Sequence, residues 1–170
     1  VENGYPLITS KNINGDKIDF STANLISEKD FMLIQQRSKV DFGDILMPMI
    51  GTIGHPVIVN TRVLFAIKNV ALIKFANNSI VNNTYIRDLF RSHYFIHLIK
   101  DKNRGGTQKF IALGDIRSFF IPVPAQLLQC QYSSIVEKTE QQKGLMQQSL
   151  TEMENNFSSL MQQAFRGELF

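Results

Sequence analysis

The sequence after Pro124 constrains the fold more than any other part of the chain. Residues 125–170 contain no proline, few glycines and many glutamines. Pro122 and Pro124 have no backbone N–H to donate, so they end whatever element precedes them. A stretch of this composition is typical of one long α-helix, and we predict that helix over 127–164.

The predicted helix carries an apolar seam in its second half. Alternating steps of four and three residues, the spacing of coiled-coil helices, join Met146, Leu150, Met153, Phe157, Leu160 and Ala164. The helix is expected to be about 57 Å long, which exceeds the width of a small domain. We therefore predict that the seam packs against a partner helix; the alternative is a helix packed along its own domain. Arg166 followed by Gly167 predicts the end of the helix.

Shorter helix and hairpin signals lie before Pro122. Asn14-Gly15 between apolar runs at 7–9 and 18–20 predicts a β-hairpin. Ser27 with Asp30 three residues later predicts the capped start of a helix that carries Phe31, Leu33 and Ile34. Asn83 is interpreted as the cap of a second helix, with apolar residues at helical spacing at Ile86, Leu89, Phe90, Tyr94 and Leu98.

Several short apolar runs in the same part of the chain have strand character. They are broken by Gly, Pro and Asn and lie at 45–50, 57–59, 63–67, 70–75 and 119–123. The predicted fold class is therefore α+β. A globular domain with mixed or antiparallel β-structure occupies 1–124, and a long coiled-coil-forming α-helix occupies 125–170.

The charge of the chain is unevenly distributed. The net charge of +3 divides into −2 over residues 1–44, +7 over 45–125 and −2 over 126–170, by counting Lys and Arg against Asp and Glu. A basic middle segment indicates a polyanionic partner such as nucleic acid. The alternative is that these cations only keep a folded surface soluble.

A polar loop at 100–109 is the densest candidate for a DNA contact. Its four cations can neutralise phosphates and release counterions. Arg104 can bind guanine, and Asn103 and Gln108 can read adenine in the major groove. The predicted DNA-binding residues of this loop are Lys102, Asn103, Arg104, Gly105, Gly106, Thr107, Gln108 and Lys109. The alternative is a solvated loop with ordinary glycine turns.

Two further segments are candidates for the same ligand. Gly51 and Gly54 permit a sharp turn between two predicted strands, and Thr52 and His55 offer polar groups there. Beside the predicted hairpin turn, the polar residues that can face DNA are Ser10, Lys11, Asn12 and Lys17.

Common catalytic motifs are missing from the sequence. It has no phosphate-binding Gly-x4-Gly-Lys-Ser/Thr loop, no Gly-x-Gly-x-x-Gly and no Gly-x-Ser-x-Gly. No acidic residue is followed two positions later by lysine, as in many nucleases. His93 and His97 are four apart but have no evident third ligand. We therefore expect no catalytic residue, no metal and no cofactor.

The place where the chain works is also constrained by its sequence. The single Cys130 excludes an internal disulfide and fits a reducing compartment. No apolar run is long enough for a membrane span, and no signal-peptide pattern is present. We expect a cytoplasmic protein without a membrane partner.

Four stretches follow one another along the sequence: Gly43-Asp44-Ile45-Leu46 with Gly51-Thr52-Ile53-Gly54, then 105–111 with Leu113, Ile116-Arg117 and 121–124, then Gln129-x-Gln131-Tyr132 with 135–138, and finally 159–169. In this order they resemble one family, the specificity (S) subunits of type I restriction–modification enzymes. The first stretch is similar to the middle of the family's target recognition domain, and the second to the end of that domain. The third is similar to the start of the family's long helix, and the fourth to the end of that helix.

The resemblance implies a non-catalytic subunit that reads DNA for an enzyme complex. Residues 1–124 are then a target recognition domain that reads half of a split target in double-stranded DNA. The helix 125–170 is then a spacer that docks methyltransferase (M) subunits and, through them, the restriction (R) subunit. Its expected partner is a second conserved helix, either in the same subunit or in a dimer mate, because a full S subunit has two domains and two helices.

Two other functions remain open at this point. The chain is alternatively a protein-interaction scaffold whose function lies in the helix, as the long seam suggests. It is otherwise the recognition domain of a fused restriction–methylation enzyme on a single chain.

Overall fold

The computed structural model describes residues 3–50, 55–75, 79–102 and 111–168. The chain divides into two compact units, Val1–Gln129 and Cys130–Phe170. Within the described ranges, no helix combines the length and the hydropathy that a membrane crossing requires.

The first unit mixes short strands with short helices. Its strands are β1 (Tyr5–Ile8), β2 (Ile13–Asn14), β3 (Lys17–Ile18), β4 (Asn24–Ile26), β5 (Ile45–Pro48), β6 (Val57–Ile58), β7 (Ala66–Ile67) and β8 (Val70–Ile73). Its helices are α1 (Glu28–Ser38), α2 (Asn83–Arg91), α3 (His93–Lys102) and α4 (Leu113–Ser118), and a 3-10 turn, η1 (Ser10–Asn12), follows β1. This architecture confirms the predicted α+β class.

Three small sheets organise these strands. One has the order β4-β1-β7, in which β1 pairs antiparallel with β4 and parallel with β7. The β2–β3 hairpin forms the second sheet. The third sheet is antiparallel in the order β6-β5-β8, with Ile45 opposite Ile58 and Ile73. The sheets are therefore both mixed and antiparallel, as the sequence predicted.

The β6-β5-β8 sheet has an apolar cluster on each face. Leu46 packs in one cluster, with residues of β1, β6 and β7. Ile45 and Met47 pack in the other, with Ile86 of α2 and Phe95 of α3. Since successive side chains of a strand point to opposite faces, covering both faces explains why β5 is apolar throughout and fully buried.

A buried carboxylate joins the loop before β5 to the end of β8. Asp44 is 1% exposed and accepts hydrogen bonds from Asp41 N (2.7 Å), Lys74 Nζ (2.6 Å) and Phe75 N (3.3 Å). Hydrogen bonds from Lys74, and then from Lys39, hold the pKa of Asp41 below its usual value. Burial acts to lower the pKa of Lys74, but its bonds to Asp41 and Asp44 outweigh burial and raise that pKa.

The start of the second helix differs from the sequence prediction. The cap of α2 is Asn82, whose Oδ1 accepts a hydrogen bond from Tyr85 N at 3.1 Å. Asn83 is the first helical residue, and its amide donates instead to Gly43 O at 3.0 Å. Gly43 has φ +87°, a conformation that favours glycine, and its N–H donates to Val59 O at 2.8 Å.

The predicted second helix is also interrupted. Ser92, with φ −68° and ψ 154°, separates α2 from α3. Its Oγ donates to Leu89 O at 2.6 Å and accepts from Phe95 N at 3.4 Å, so it ends one helix and caps the next. The single helix predicted from Ile86 to Leu98 is therefore wrong, because a serine side chain replaces the backbone bonds at the break.

Two predicted strand assignments were wrong as well. The hairpin forms from β2 and β3, because Leu7 and Ile8 belong to β1, which pairs in another sheet. The described residues 119–123 form no strand. Tyr94 Oη donates to Phe120 O at 3.3 Å and Tyr85 Oη to Pro122 O at 2.8 Å, so side chains satisfy carbonyls that a ladder would otherwise use. The other runs are shorter than predicted; 63–67, for example, contributes only β7.

The long helix α5 (Gln126–Arg166) is one element of 41 residues, as the sequence predicted. Its first residues belong to the first unit, where Gln129 is 1% exposed. Gln129 accepts from Asn82 N at 2.8 Å and donates to Pro124 O at 2.8 Å. The helix ends as predicted, because Gly167 takes φ +71° and donates to Ala164 O, while Glu168 N donates to Gln163 O.

Candidate DNA interface

Arg91 links the β2–β3 hairpin to the segment that follows residues 51–54. It is the last residue of α2, and its Nη1 lies 2.6 Å from Asp16 Oδ1 in the hairpin turn. Its Nε and Nη2 donate to Pro56 O at 3.2 Å and 2.6 Å. The planar guanidinium therefore binds a carboxylate and a carbonyl at once, through donors that are held in a fixed geometry.

Ile111 is the first described residue after the gap at 103–110, and it lies beside Met49, which precedes the gap at 51–54. Ile111 N donates to Met49 O at 3.0 Å. His55, which is exposed, precedes the Pro56 carbonyl that Arg91 holds. One backbone hydrogen bond therefore joins described residues next to the two gaps, and Arg91 joins Pro56, two residues after the gap at 51–54, to the hairpin turn.

The turn η1 and the β7–β8 connection each carry one exposed lysine and are joined by hydrogen bonds. Ser10 Oγ donates to Asn69 O at 3.1 Å, and Lys68 N donates to Ile8 O at 2.9 Å. Lys11 follows Ser10 in the sequence, and Lys68 precedes Asn69. Both lysines are exposed. Cations on adjacent turns are suited to phosphate contacts.

The hairpin itself contributes Lys17, which is exposed in β3 and pairs with Asn14 of β2. Asp19 N, two residues later, donates to Asn12 O at 2.7 Å, so β3 runs next to η1. Hydrogen bonds from Ser21 hold the pKa of Asp19 below its usual value.

Asn12, one of the predicted DNA-binding residues, is buried and makes its hydrogen bonds within the protein. It is 4% exposed, and its Oδ1 accepts from Thr9 N at 2.9 Å and from Thr9 Oγ1 at 2.8 Å. Its Nδ2 donates to Thr22 Oγ1 at 3.1 Å. These bonds hold the shape of the turn that presents Ser10 and Lys11, and Asn12 itself has little surface for a ligand.

Other sequence-predicted site residues lie outside the described part of the chain. Thr52 falls in the gap at 51–54. The gap at 103–110 contains Asn103, Arg104, Gly105, Gly106, Thr107, Gln108 and Lys109. Lys102 is the last residue of α3.

The fold neutralises part of the basic middle segment with carboxylates. Lys74 pairs with Asp41 and Asp44, and Arg91 pairs with Asp16. All three of these carboxylates come from the acidic segment 1–44. The division of charge along the sequence therefore overstates the free positive charge of residues 45–125.

The seam predicted on the long helix is exposed in the second unit. Exposed fractions run from 45% for Leu150 to 70% for Met146, with Met153, Phe157 and Leu160 between them, and Ala164 is also exposed. A row of exposed apolar side chains on a long helix is typical of a surface that a partner covers.

Arg91 and Lys68 are not among the site residues that the sequence predicted. Arg91 lies 75 positions from Asp16, so no local pattern joins them. A cation in the last turn of a helix is normally interpreted as a response to the helix dipole. Lys68-Asn69 lies between two predicted strands, and Asn69 takes φ +58°; Asn between two apolar runs was the available signal for a turn there.

No metal site is apparent in the residues for which the structure gives positions. His93 and His97 are both exposed on α3. Nowhere in the described ranges do three or more His, Cys, Asp or Glu side chains form a group that could hold a metal ion.

The chain matches one known family over most of its length. A family model described as the type I restriction modification DNA specificity domain matches residues 1–155. The chain belongs to this family, as the four stretches of resemblance indicated.

Individual relatives agree with the family assignment. The chain is 26% identical to the type I restriction enzyme EcoBI specificity subunit of Escherichia coli, over 99% of this chain and 36% of that protein. It is similar in fold to a chain in a solved structure of the type I R-M system, with a TM-score of 0.62 and 18% identity over 98% of this chain and 40% of that one. The chain thus spans well under half the length of these relatives.

Proposed function

We propose that the first unit reads one half of a bipartite target in double-stranded DNA, for a type I restriction–modification enzyme. The observation that carries the proposal is that Arg91 joins the hairpin turn to Pro56, while a hydrogen bond joins Met49 to Ile111. Membership of a DNA specificity family supports it independently.

Within this unit we assign separate tasks to cations and loops. Lys11, Lys17 and Lys68 contact phosphates and fix the register of the domain on the duplex. The polar side chains of 103–109, with Thr52 and His55, read base edges. Asn12 does not contact DNA in this proposal; its hydrogen bonds hold the shape of η1.

For the long helix we propose protein partners. Its exposed seam packs against a second helix of the same type, in the same subunit or in a dimer mate, and the helix docks M subunits and through them the R subunit. The chain itself is non-catalytic, needs no cofactor and works in the cytoplasm beside the DNA that it reads.

Selection from a random duplex library with the full chain tests the proposal. We expect enrichment of one short recurrent sequence, with binding that weakens as salt rises. Replacing Lys11, Lys17 and Lys68 together with Ala is expected to flatten the slope of log K against log[salt] by about one unit for each lost phosphate contact. The control is Lys29→Ala with Arg37→Ala, exposed cations on α1, which should leave the slope unchanged.

The loop 103–109 is tested in the same assay. Arg104→Ala with Lys109→Ala is expected to weaken binding of the enriched duplex. Unchanged binding by this double variant would remove the loop from the site. Enrichment of no recurrent sequence by the wild-type chain would contradict the DNA-reading function as a whole.

A protein-interaction scaffold is the second candidate, because the seam of α5 is exposed. It predicts helix-dependent association with partners and only salt-sensitive, sequence-independent binding to DNA. The recurrence of a selected sequence therefore separates the two candidates.

A further inference from the structure

We propose that Arg91 is the positioning residue of the DNA site, which holds the hairpin turn and the 55–56 segment in one fixed arrangement. The inference rests on the DNA-reading function proposed above. It concerns a residue that contacts other protein groups and acts on DNA through the segments that it holds.

The contacts of Arg91 account for this role. Two nitrogens on one edge of the guanidinium, Nε and Nη2, donate hydrogen bonds to the Pro56 carbonyl at 3.2 Å and 2.6 Å. The remaining nitrogen, Nη1, pairs with Asp16 at 2.6 Å. The Arg91 side chain is 24% exposed and that of Asp16 is 57% exposed. The arginine is therefore the more shielded partner, and it holds an exposed turn.

The helix that carries Arg91 is itself fixed at its other end. Asn82 N donates to Gln129, and Asn83 donates to Gly43 O. Ile86 and Phe90 on the inner face of α2 are buried. Arg91 therefore projects from a rigid element, which is the kind of support that a precise binding constellation needs.

The consequence for recognition follows from the two segments that are joined. Asp16 lies next to Lys17, which is assigned to phosphate, and Pro56 lies next to His55, which is assigned to bases. If both segments are fixed to α2, a phosphate contact sets the position of a base-reading side chain. Loss of this coupling should reduce discrimination between sequences more than it reduces the salt-dependent affinity for any duplex.

Substitution of Asp16 is expected to change the affinity for an unrelated duplex and the discrimination between duplexes in different directions. A carboxylate beside a DNA-contacting lysine repels phosphate, so Asp16→Asn should leave unchanged or slightly raise affinity for an unrelated duplex. The same substitution weakens the hold of Arg91 on the turn, so the ratio of affinities for selected and unrelated duplexes should fall. A carboxylate that merely faced DNA would give higher affinity for both duplexes and an unchanged ratio.

The experiment uses the full chain and two duplexes, one enriched from a random library and one unrelated. The dissociation constant for the unrelated duplex divided by that for the enriched duplex is the measured ratio, and it is determined for wild type, Arg91→Ala, Arg91→Lys and Asp16→Asn. Because a loss of folded protein reduces both affinities equally, the ratio reports positioning rather than stability. The matched control is Arg37→Ala, which removes the arginine in the last turn of α1.

We expect Arg91→Ala to lower the ratio by at least about fivefold, the discrimination of a single base pair. Arg91→Lys should also lower it, since an ammonium lacks the fixed donor geometry with which the guanidinium reaches both groups, while Arg37→Ala should not change it. A wild-type ratio above one that is the same in Arg91→Ala overturns the positioning role alone. A wild-type ratio of one overturns the DNA-reading function on which the inference rests.

Discussion

The two units of this chain stabilise themselves in different ways. In the first, the β6-β5-β8 sheet is covered on both faces, and the buried polar groups Asp44 and Gln129 are hydrogen-bonded. In the second, α5 satisfies its backbone internally and leaves its apolar seam exposed. The contrast indicates that the first unit owes its structure to its own core, whereas the apolar face of the helical unit is buried only in the partner complex proposed above.

The largest expected effect is a loss of association through the seam of α5. Leu150→Ala with Phe157→Ala removes two large seam residues while keeping good helix formers. Burial of such side chains is worth several kcal/mol, so we expect self-association or subunit docking to weaken by at least about a thousandfold. Sedimentation analysis and pull-down of M subunits measure the change.

The control for the helix variant is Gln147→Ala with Gln148→Ala, away from the seam. It should leave association unchanged, and neither variant should alter the urea midpoint of the first unit. Equal association by the seam variant and the control would show that the seam is not an interface.

The next effect tests the first unit. Asp44→Ala removes the acceptor shared by Asp41 N, Phe75 N and Lys74. We expect a loss of about 3 kcal/mol in the free energy of unfolding, because buried donors lose their partner. Urea denaturation followed by fluorescence of the tyrosines measures it. Asp30→Ala at the exposed start of α1 serves as control and should cost no more than about 1 kcal/mol.

A smaller effect is expected at the start of α5. Gln129→Ala removes a side chain that accepts from Asn82 N and donates to Ile80 O and Pro124 O. Because this site is buried, we expect a loss of about 1–3 kcal/mol in the same unfolding assay. Gln131→Ala, two positions along the same helix and exposed, should be nearly neutral. Equal effects of the two variants would contradict a structural role for Gln129.

The smallest effect is a pH dependence. Asp41 has a pKa below its usual value of 3.8, so its ionised form stabilises the fold above that pH. This contribution is lost as pH falls through the lowered pKa. Asp41 is about half exposed, so solvent screening limits the effect to a few tenths of a kcal/mol. The difference in unfolding free energy between wild type and Asp41→Asn should therefore shrink from pH 5 to pH 2; a constant difference would contradict the ionic origin.

The sequence predicted those parts of the fold that depend on local signals. Ser27 caps α1 by accepting from Asp30 N, as its spacing indicated, and Gly167 ends α5. Periodicity identified the long helix because its apolar and polar positions repeat over many turns. These features need no knowledge of the rest of the chain.

Features that depend on distant partners could not be predicted. The segment 119–123 has strand composition, but the hydroxyls of Tyr85 and Tyr94 bind its carbonyls. Asn82 and Asn83 are equivalent as caps by composition, and the contact of Asn83 with Gly43 decides between them. In the candidate site, the Arg91–Asp16 pair could not be predicted for the same reason, whereas the lysines beside the hairpin were predicted as candidates from composition and stay a prediction.

Hydrogen exchange of the full chain, with and without a selected duplex, tests the central claim most directly. We predict slower exchange in the β2–β3 hairpin, in the Ser10–Asn12 turn and at 55–59, and unchanged exchange along the seam at 146–164. An unrelated duplex should give weaker protection that disappears at moderate salt. Protection confined to the seam, with the hairpin and 55–59 unaffected, would contradict the division of labour between the two units.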